Sequence, residues 1–321
     1  MRVATLQLLL SAALILSGAV CAQTYPAKIV RIVVPFPPAT GIDTIVRIFA
    51  PRLTEMMGQQ FIVDNRSGAA GNIGAEAVAR AAADGYTLLA PTASIATNAS
   101  LYKNLRFDPV RDFEPIAILA SSPFMLAIHP SVPAKSVKEL IAFAKARPTQ
   151  LTFASTGNGS APHLTAELFR MHAGVDILHV PYQGSPAAVI DLISGQVTMM
   201  FSSISALLPS VKAGRLRGLA MTSAKRSSAA PELPTVAEAG LAGFESGTWF
   251  GLFAPAGTPR EIVTRLNTAI ARIGQMPEVR VALSIQGAEH AGGSPEEVVA
   301  FVRSEVAKWG KVVTASGTRV E

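Results

Sequence analysis

Between Ile29 and Ala90 the chain alternates short apolar runs with longer amphipathic ones, and this rhythm restricts the fold more than any other feature. Ile29 to Pro35 reads as a buried strand and Asp43 to Met57 as a helix stopped at Gly58. Phe61 to Asp64 reads as a strand, Ile73 to Ala82 as a helix, and Thr87 to Ala90 as a strand. Strands joined through helices lie parallel, with the helices covering both faces of the sheet. A second run repeats the alternation. Its helices fall at Val137 to Ala146, His163 to Ala173, Pro186 to Ser194 and Ala206 to Ala213. Its strands fall at Leu151 to Ala154, Ile177 to Val180, Thr198 to Phe201 and Leu216 to Met221. Between the runs, "IAILASSPFMLAIHP" outlasts an ordinary strand of about five or six residues, as a segment leaving one sheet for another must. "SGTWFGLFAPAGTP" (Ser246 to Pro259) offers a second crossing, and helices over Arg260 to Ile273, Glu278 to Ile285 and Pro295 to Ser316 finish the chain. The pattern predicts an α/β fold of two units joined by two extended crossings around a cleft.

The 321 residues are 49% hydrophobic and 16% charged, enough apolar material for two cores. The N-terminus differs from the rest. "MRVATLQLLLSAALILSGAVCAQ" places Arg2 before an apolar run from Leu6 to Leu16 and ends in Val20-Cys21-Ala22, which predicts an export signal cut after Ala22. The run is short of the roughly 20 residues a spanning helix needs. The single cysteine falls inside this leader, and Gly18 and Val20 do not match a lipoprotein signal. Cleavage would leave no cysteine for a disulfide, a thiol nucleophile or a thiolate metal site. The formal net charge of +6 is scattered, with no basic run longer than Lys225-Arg226, so no nucleic-acid partner is expected.

Two loops stand where ligands bind in open α/β sheets, between a strand's carboxyl end and the following helix. In "VPFPPATGID" (Val34 to Asp43), prolines such as Pro38 stiffen the approach while Ala39, Thr40 and Gly41 keep side chains small. In "ASTGNGSAPH", Gly157 and Gly159 let backbone N–H groups approach a ligand, and Ser155, Thr156 and Ser160 add hydroxyls. Both loops lead into helix N-termini, which favour negative charge, so an oxyanion, most simply a carboxylate, is the expected guest. No arginine is required. Six charge-assisted hydrogen bonds at about 1.5–3 kcal/mol each total about 9–18 kcal/mol. Association costs about 4–15 kcal/mol, and a micromolar complex needs about 8 net.

Catalytic readings are weaker. Ser160 and His163 are three residues apart but form no G-x-S-x-G elbow, so a periplasmic serine hydrolase is the alternative rather than the leading reading. "GAAGNIG" (Gly68 to Gly74) has the wrong spacing for a dinucleotide fingerprint. His129, His163, His172, His179 and His290 show no metal-ligand spacing, and no cofactor is expected. Trp249 is expected to pack at a crossing, with the cleft wall as its other place. Ser202 and Ser203 end a strand, either facing the cleft or starting a loop.

Taken in order, "IVVPFPP", "NIGAEAVARAAADGYTLL", "FASTGNGSAPHLTAELF", "HVPYQG", "KAGRLRGLAMTSAKRS", "PTVAEAG" and "WFGLFAPAGTP" resemble the Bug (Bordetella uptake gene) family, the periplasmic receptors of tripartite tricarboxylate transporters. The resemblance runs from about Tyr25 to the C-terminus. It implies a type II periplasmic-binding-protein fold of two α/β domains, with signal peptide 1–22, one domain of 23–122 and 248–321, and the other of 123–247. It further implies a monomer that binds a small mono-, di- or tricarboxylate or an aromatic acid and delivers it to inner-membrane transporter subunits or a sensor. Carried over, the ligand-binding positions are Pro38 to Asp43, Ser155 to Ser160 with Asn158 among them, nearby His163, and Thr92, Ala93 and Ser94. Two departures stand out. Ala39 and Thr40 replace a customary Gly-Gly pair, and Ser202 and Ser203 replace a customary Asp-Asn. Losing that aspartate removes a partner for an amine, so a carboxylate without an amino group is expected.

Overall fold

The structure, a computed structural model, describes residues 25–319; the expected leader, with Cys21, lies outside them. Strand β1 (Val30–Val34) buries four of its five residues and runs parallel to β2 (Phe61–Asn65) and β3 (Thr87–Leu89). Helix α1 (Gly41–Met57) sets Ile42, Ile45, Val46, Phe49 and Leu53 against this sheet, at the spacing of one helical face. Gly58, at φ 75°, ends it by donating its N–H to the Thr54 carbonyl.

The next two helices depart from the sequence expectation. Helix α2 (Asn72–Ala79) stops short of Ala82, because the Ala81 N–H bonds the Val78 carbonyl and tightens the last turn. Helix α3 (Ser94–Leu101) was not expected, since its serine, threonine and asparagine residues favour turns over helix interiors. Tertiary contacts override that preference: buried Asn98 donates to the Ala70 carbonyl and to Asn72 Oδ1. The glycines of "GAAGNIG" serve packing here. A Cβ on Gly74 would lie 2.8 Å from the Pro35 Cβ and 2.9 Å from the Arg66 carbonyl oxygen.

Strand β4 (Phe113–Ile128) is one unbroken run of 16 residues. Helix α4 (Val137–Ala146) follows, capped by Ser136. The second unit then alternates β5 (Thr152–Ser155), α5 (Ala161–Ala173), β6 (Leu178–Pro181), α6 (Ser185–Ser194), β7 (Met199–Ser203), α7 (Ile204–Lys212) and β8 (Arg217–Met221). Strand β9 (Gly247–Pro255) returns to the first unit, followed by α8 (Arg260–Gly274), α9 (Pro277–Ile285) and α10 (Pro295–Ser316).

Among the described residues the strands order as β2-β1-β3-β9-β4-β7-β5-β6, with β8 also on β4. Strand β4 makes the crossing that its length requires. Phe113 to Pro123 pair antiparallel with β9, and Phe124 to Ile128 pair with β7 and β8. The change of partner falls at Pro123, which has no N–H to give a ladder. The α/β fold is as expected.

Helix α10 joins the units through a shared core. A capping box of Ser294 and Glu297 starts it, and it buries Val298, Val302, Glu305, Trp309 and Val312 at alternating steps of four and three residues. One hydrophobic cluster includes Trp309 and Val313 of this helix with Phe169 and Phe201 of the second unit and Phe253 of β9. Glu305 is the charged member of the buried stripe. Its Oε2 accepts the indole N–H of Trp249 at 3.1 Å and of Trp309 at 3.0 Å, and its Oε1 pairs with Lys308.

Candidate functional site

A cavity of about 310 Å³ lies between the two units. Its first wall is Phe36 after β1, Thr92 to Ser94 entering α3, Thr97, Asn98 and Leu101 on that helix, and Tyr102 just after it. Asn158, Gly159, Ser160, Ala161 and Leu164 form the opposite wall, at the start of α5. Ala70, the β9 residues Gly247 and Thr248, and the buried Trp309 complete the lining. Sequence reasoning had singled out Thr92, Ala93, Ser94, Asn158 and Ser160, which the fold brings together here. It missed Phe36, Tyr102 and Trp309, aromatic side chains whose place depends on how distant helices pack.

The first loop approaches this region but bonds largely to itself. Thr40 Oγ1 donates to the Pro37 carbonyl at 2.8 Å, so its hydroxyl proton is committed. Asp43 is buried, with Oδ2 accepting the Ala39 N–H and Arg47 Nε, each at 2.9 Å, and Oδ1 accepting Asn65 Nδ2 at 3.0 Å. It latches the loop from within. Burial opposes its charge, but the bonds from Arg47, Asn65 and Ala39 prevail and hold the carboxyl below the ordinary carboxylate range. Pro38, Ala39 and Gly41 are exposed, and none of Pro38 to Asp43 lines the cavity. Thr40 precedes α1 without a side-chain capping bond.

Ala39 adopts φ 63°, a left-handed conformation that costs a residue with a Cβ about 1–2 kcal/mol. Ala39→Gly is expected to raise stability by up to about 1 kcal/mol, part of the relief being offset by the freer unfolded chain. A higher urea midpoint at unchanged slope would show it, and a lower midpoint would refute the assignment of strain.

The second loop is organised by two imidazoles. Ser160 caps α5 by accepting the His163 N–H, and Gly174, at φ 59°, ends the helix. The Gly159 N–H donates to His163 Nδ1 at 3.0 Å, which fixes the loop and places the ring proton on Nε2, 3.8 Å from Glu167 Oε1. The His163 ring stacks on His179 with centroids 3.9 Å apart, and His179 stacks on Phe153 at 4.8 Å. Ser155 is fully buried, its Oγ 2.6 Å from His179 Nε2 and donating to the Gly157 carbonyl. Burial first, then His179 and Arg170, push the His163 pKa down to about 4. Burial also lowers that of His179. Ser155, Thr156, Gly157 and His163 therefore stand behind the cavity wall, not in it.

Neither serine of the β7 end lines the cavity. Ser202 is buried with its Oγ 3.4 Å from Ser185 Oγ, and Ser203 precedes α7 with its Oγ 3.2 Å from Ser205 Oγ. Trp249 packs at the crossing, 3% exposed, and does not line the cavity. No group of three metal-ligating side chains occurs among the described residues.

With this geometry in view, the chain was compared with known proteins. Residues 45–318 match the family described as "Tripartite tricarboxylate transporter family receptor". Protein BugT of Bordetella pertussis is 37% identical over 308 residues, covering 95% of this chain and 94% of that protein. The solved structure of R. palustris Rpa4515 with adipate is 42% identical, at a TM-score of 0.73 over 92% of this chain and 99% of that one. MatC from Rhodopseudomonas palustris with bound malate is 32% identical, at a TM-score of 0.70 over 90% and 100%.

Proposed function

The chain belongs to the tripartite tricarboxylate transporter receptor family, and from that premise we propose that it captures a small carboxylate in the interdomain cavity, changes nothing in it chemically, and delivers it to membrane transporter subunits. Receptors of this family are periplasmic solute-binding proteins, and the relatives solved with adipate and malate hold carboxylates. The proposal includes export by the leader, action as a monomer, and domains divided at residues 122/123 and 247/248. The change of partners along β4 supports that division.

The observation that carries the reading is the lining itself. Loop residues of both units meet there, with Thr92 and Ser94 facing Asn158 and Ser160 across a cleft of neutral donors. Such donors hold an anion without a counter-ion when several converge. We extend the proposed site to Pro38 to Asp43, the uncapped start of α1, and to Thr156, Gly157, Ser202 and Ser203, which closure of the cleft would bring nearer. A ligand drives that closure only by binding the closed form better than the open one. The proposal also keeps amino acids as poor ligands, because Ser202 and Ser203 offer an ammonium group no carboxylate.

The hydrolase alternative lacks its pairing. His163 Nδ1 is occupied by the Gly159 N–H, and Ser160 Oγ meets only the backbone N–H of His163. The Ser155 side chain beside His179 is fully buried, so its hydroxyl is not open to a substrate.

Residues 23–321 should be screened by thermal shift against dicarboxylates, citrate, aromatic acids, amino acids and neutral amides. A ligand at about 100 times its Kd adds about 2.7 kcal/mol to folding stability. Stabilisation by carboxylates alone is the expected result, and stabilisation by amides alone would overturn the reading.

A further inference from the structure

We infer that the solute of this cleft is a carboxylate with an apolar body and no more than two charges, and not a citrate-like polyanion. The inference rests on the carboxylate-receptor reading and narrows it to a class of substrate.

Charge is the first ground. Among the described residues no Asp, Glu, Lys, Arg or His lines the cavity. Each carboxylate offers about four lone-pair sites for donors, so a tricarboxylate asks for about twelve with no cation to share the load. Much of the polar lining is already engaged. Thr92 Oγ1 and Ser94 Oγ bond each other at 2.9 Å, Thr97 Oγ1 donates to the Ser94 carbonyl at 3.1 Å, and both Asn98 amide bonds go to the protein. Ser160 accepts the His163 N–H and keeps its own proton to give. Such a lining can satisfy one or two carboxylates and would leave a third desolvated and unpaired.

The apolar surface is the second ground. Phe36 and Tyr102, both half-buried, present carbon to the same space. A hydroxylated body such as that of citrate or malate would face these walls with unmet hydroxyls, whereas methylenes or an aromatic ring would be removed from water.

The test is calorimetric titration of residues 23–321 with unbranched dicarboxylates of four to nine carbons, benzoate, hexanoate, malate, citrate, and the amides of the same bodies. Each methylene buried is expected to raise affinity about fourfold until the cavity is filled, with citrate and malate at least about 30-fold weaker than the best apolar-bodied acid. Tighter binding of citrate or malate than of the longer chains would overturn the inference and leave a carboxylate receptor standing. Equal binding of acids and amides, or binding of no acid, would overturn both together.

Discussion

Glu305→Ala lowers the stability of the folded chain by about 3–5 kcal/mol, the usual cost of removing one partner of a buried charged cluster. The carboxylate lies 5% exposed on the apolar stripe of α10, where it receives two indole N–H groups and pairs with Lys308. Deleting it strands two buried donors and leaves a cavity where the side chain was. Urea denaturation reads the effect as a lower midpoint. Glu305→Gln, which keeps one carbonyl acceptor, should recover part of the loss. A loss below about 1 kcal/mol for the alanine variant would mean that the indoles are satisfied by water and that the carboxylate is not a joint.

Acidification provides the second large effect, through His163. Its folded pKa of about 4 lies well below the ordinary value of 6.5, because burial, the stacked His179 and Arg170 all disfavour its charge. The unfolded chain therefore binds a proton near pH 6.5 that the native chain refuses until about pH 4. Stability from this group is fully present above pH 6.5, falls as the pH drops through that window, and levels off below it. At about 1.36 kcal/mol per pH unit, the loss from His163 alone is about 3 kcal/mol. His179 is shifted in the same direction and adds to it.

The groups around the rings are Glu167 and Arg170 on α5 and Ser155 on β5. The Asp43 carboxyl is lowered, so its contribution is lost only under more acidic conditions, as the pH falls through its own folded pKa. His163→Asn keeps an acceptor for Gly159 and should flatten the stability profile between pH 6.5 and 4. An unchanged slope in that variant would assign the acid sensitivity elsewhere. Since a protonated His163 cannot accept the Gly159 N–H, ligand affinity should weaken as the pH falls through the native value of about 4.

Much of the architecture was readable because burial imprints a local period: β1 reads as a buried run and α1 as a helical face with a glycine stop. The 16-residue β4 was readable because its length exceeded what one sheet uses. Helix α3 was not, because its composition argues for a turn and what holds it is tertiary: the burial of Ile95, Ala96 and Leu101, and Asn98's partners 26 and 28 residues away. Within the site, the strand-to-helix positions of Ser94 and Ser160 could be inferred from small residues before a helix. Tyr102 could not, since nothing local to the end of α3 says that it borders the cavity. Asp43 shows the opposite failure. It sat in the right loop, but the Arg47 four residues later, a spacing that pairs charges on one helix face, was the clue that its carboxylate serves the fold.

The unbroken β4 has a mechanical consequence. No flexible linker separates its two halves at Pro123, and β9 runs beside it to Gly247, whose missing Cβ lets the backbone pass where that atom would lie 2.8 Å from the Ser122 carbonyl oxygen. Relative movement of the two halves must therefore be taken up as twist and bend, spread over many ladder hydrogen bonds instead of a few loose torsions. A joint of that kind behaves as a leaf spring. It resists displacement in proportion, has one resting angle, and returns to it when the load that deflected it is released.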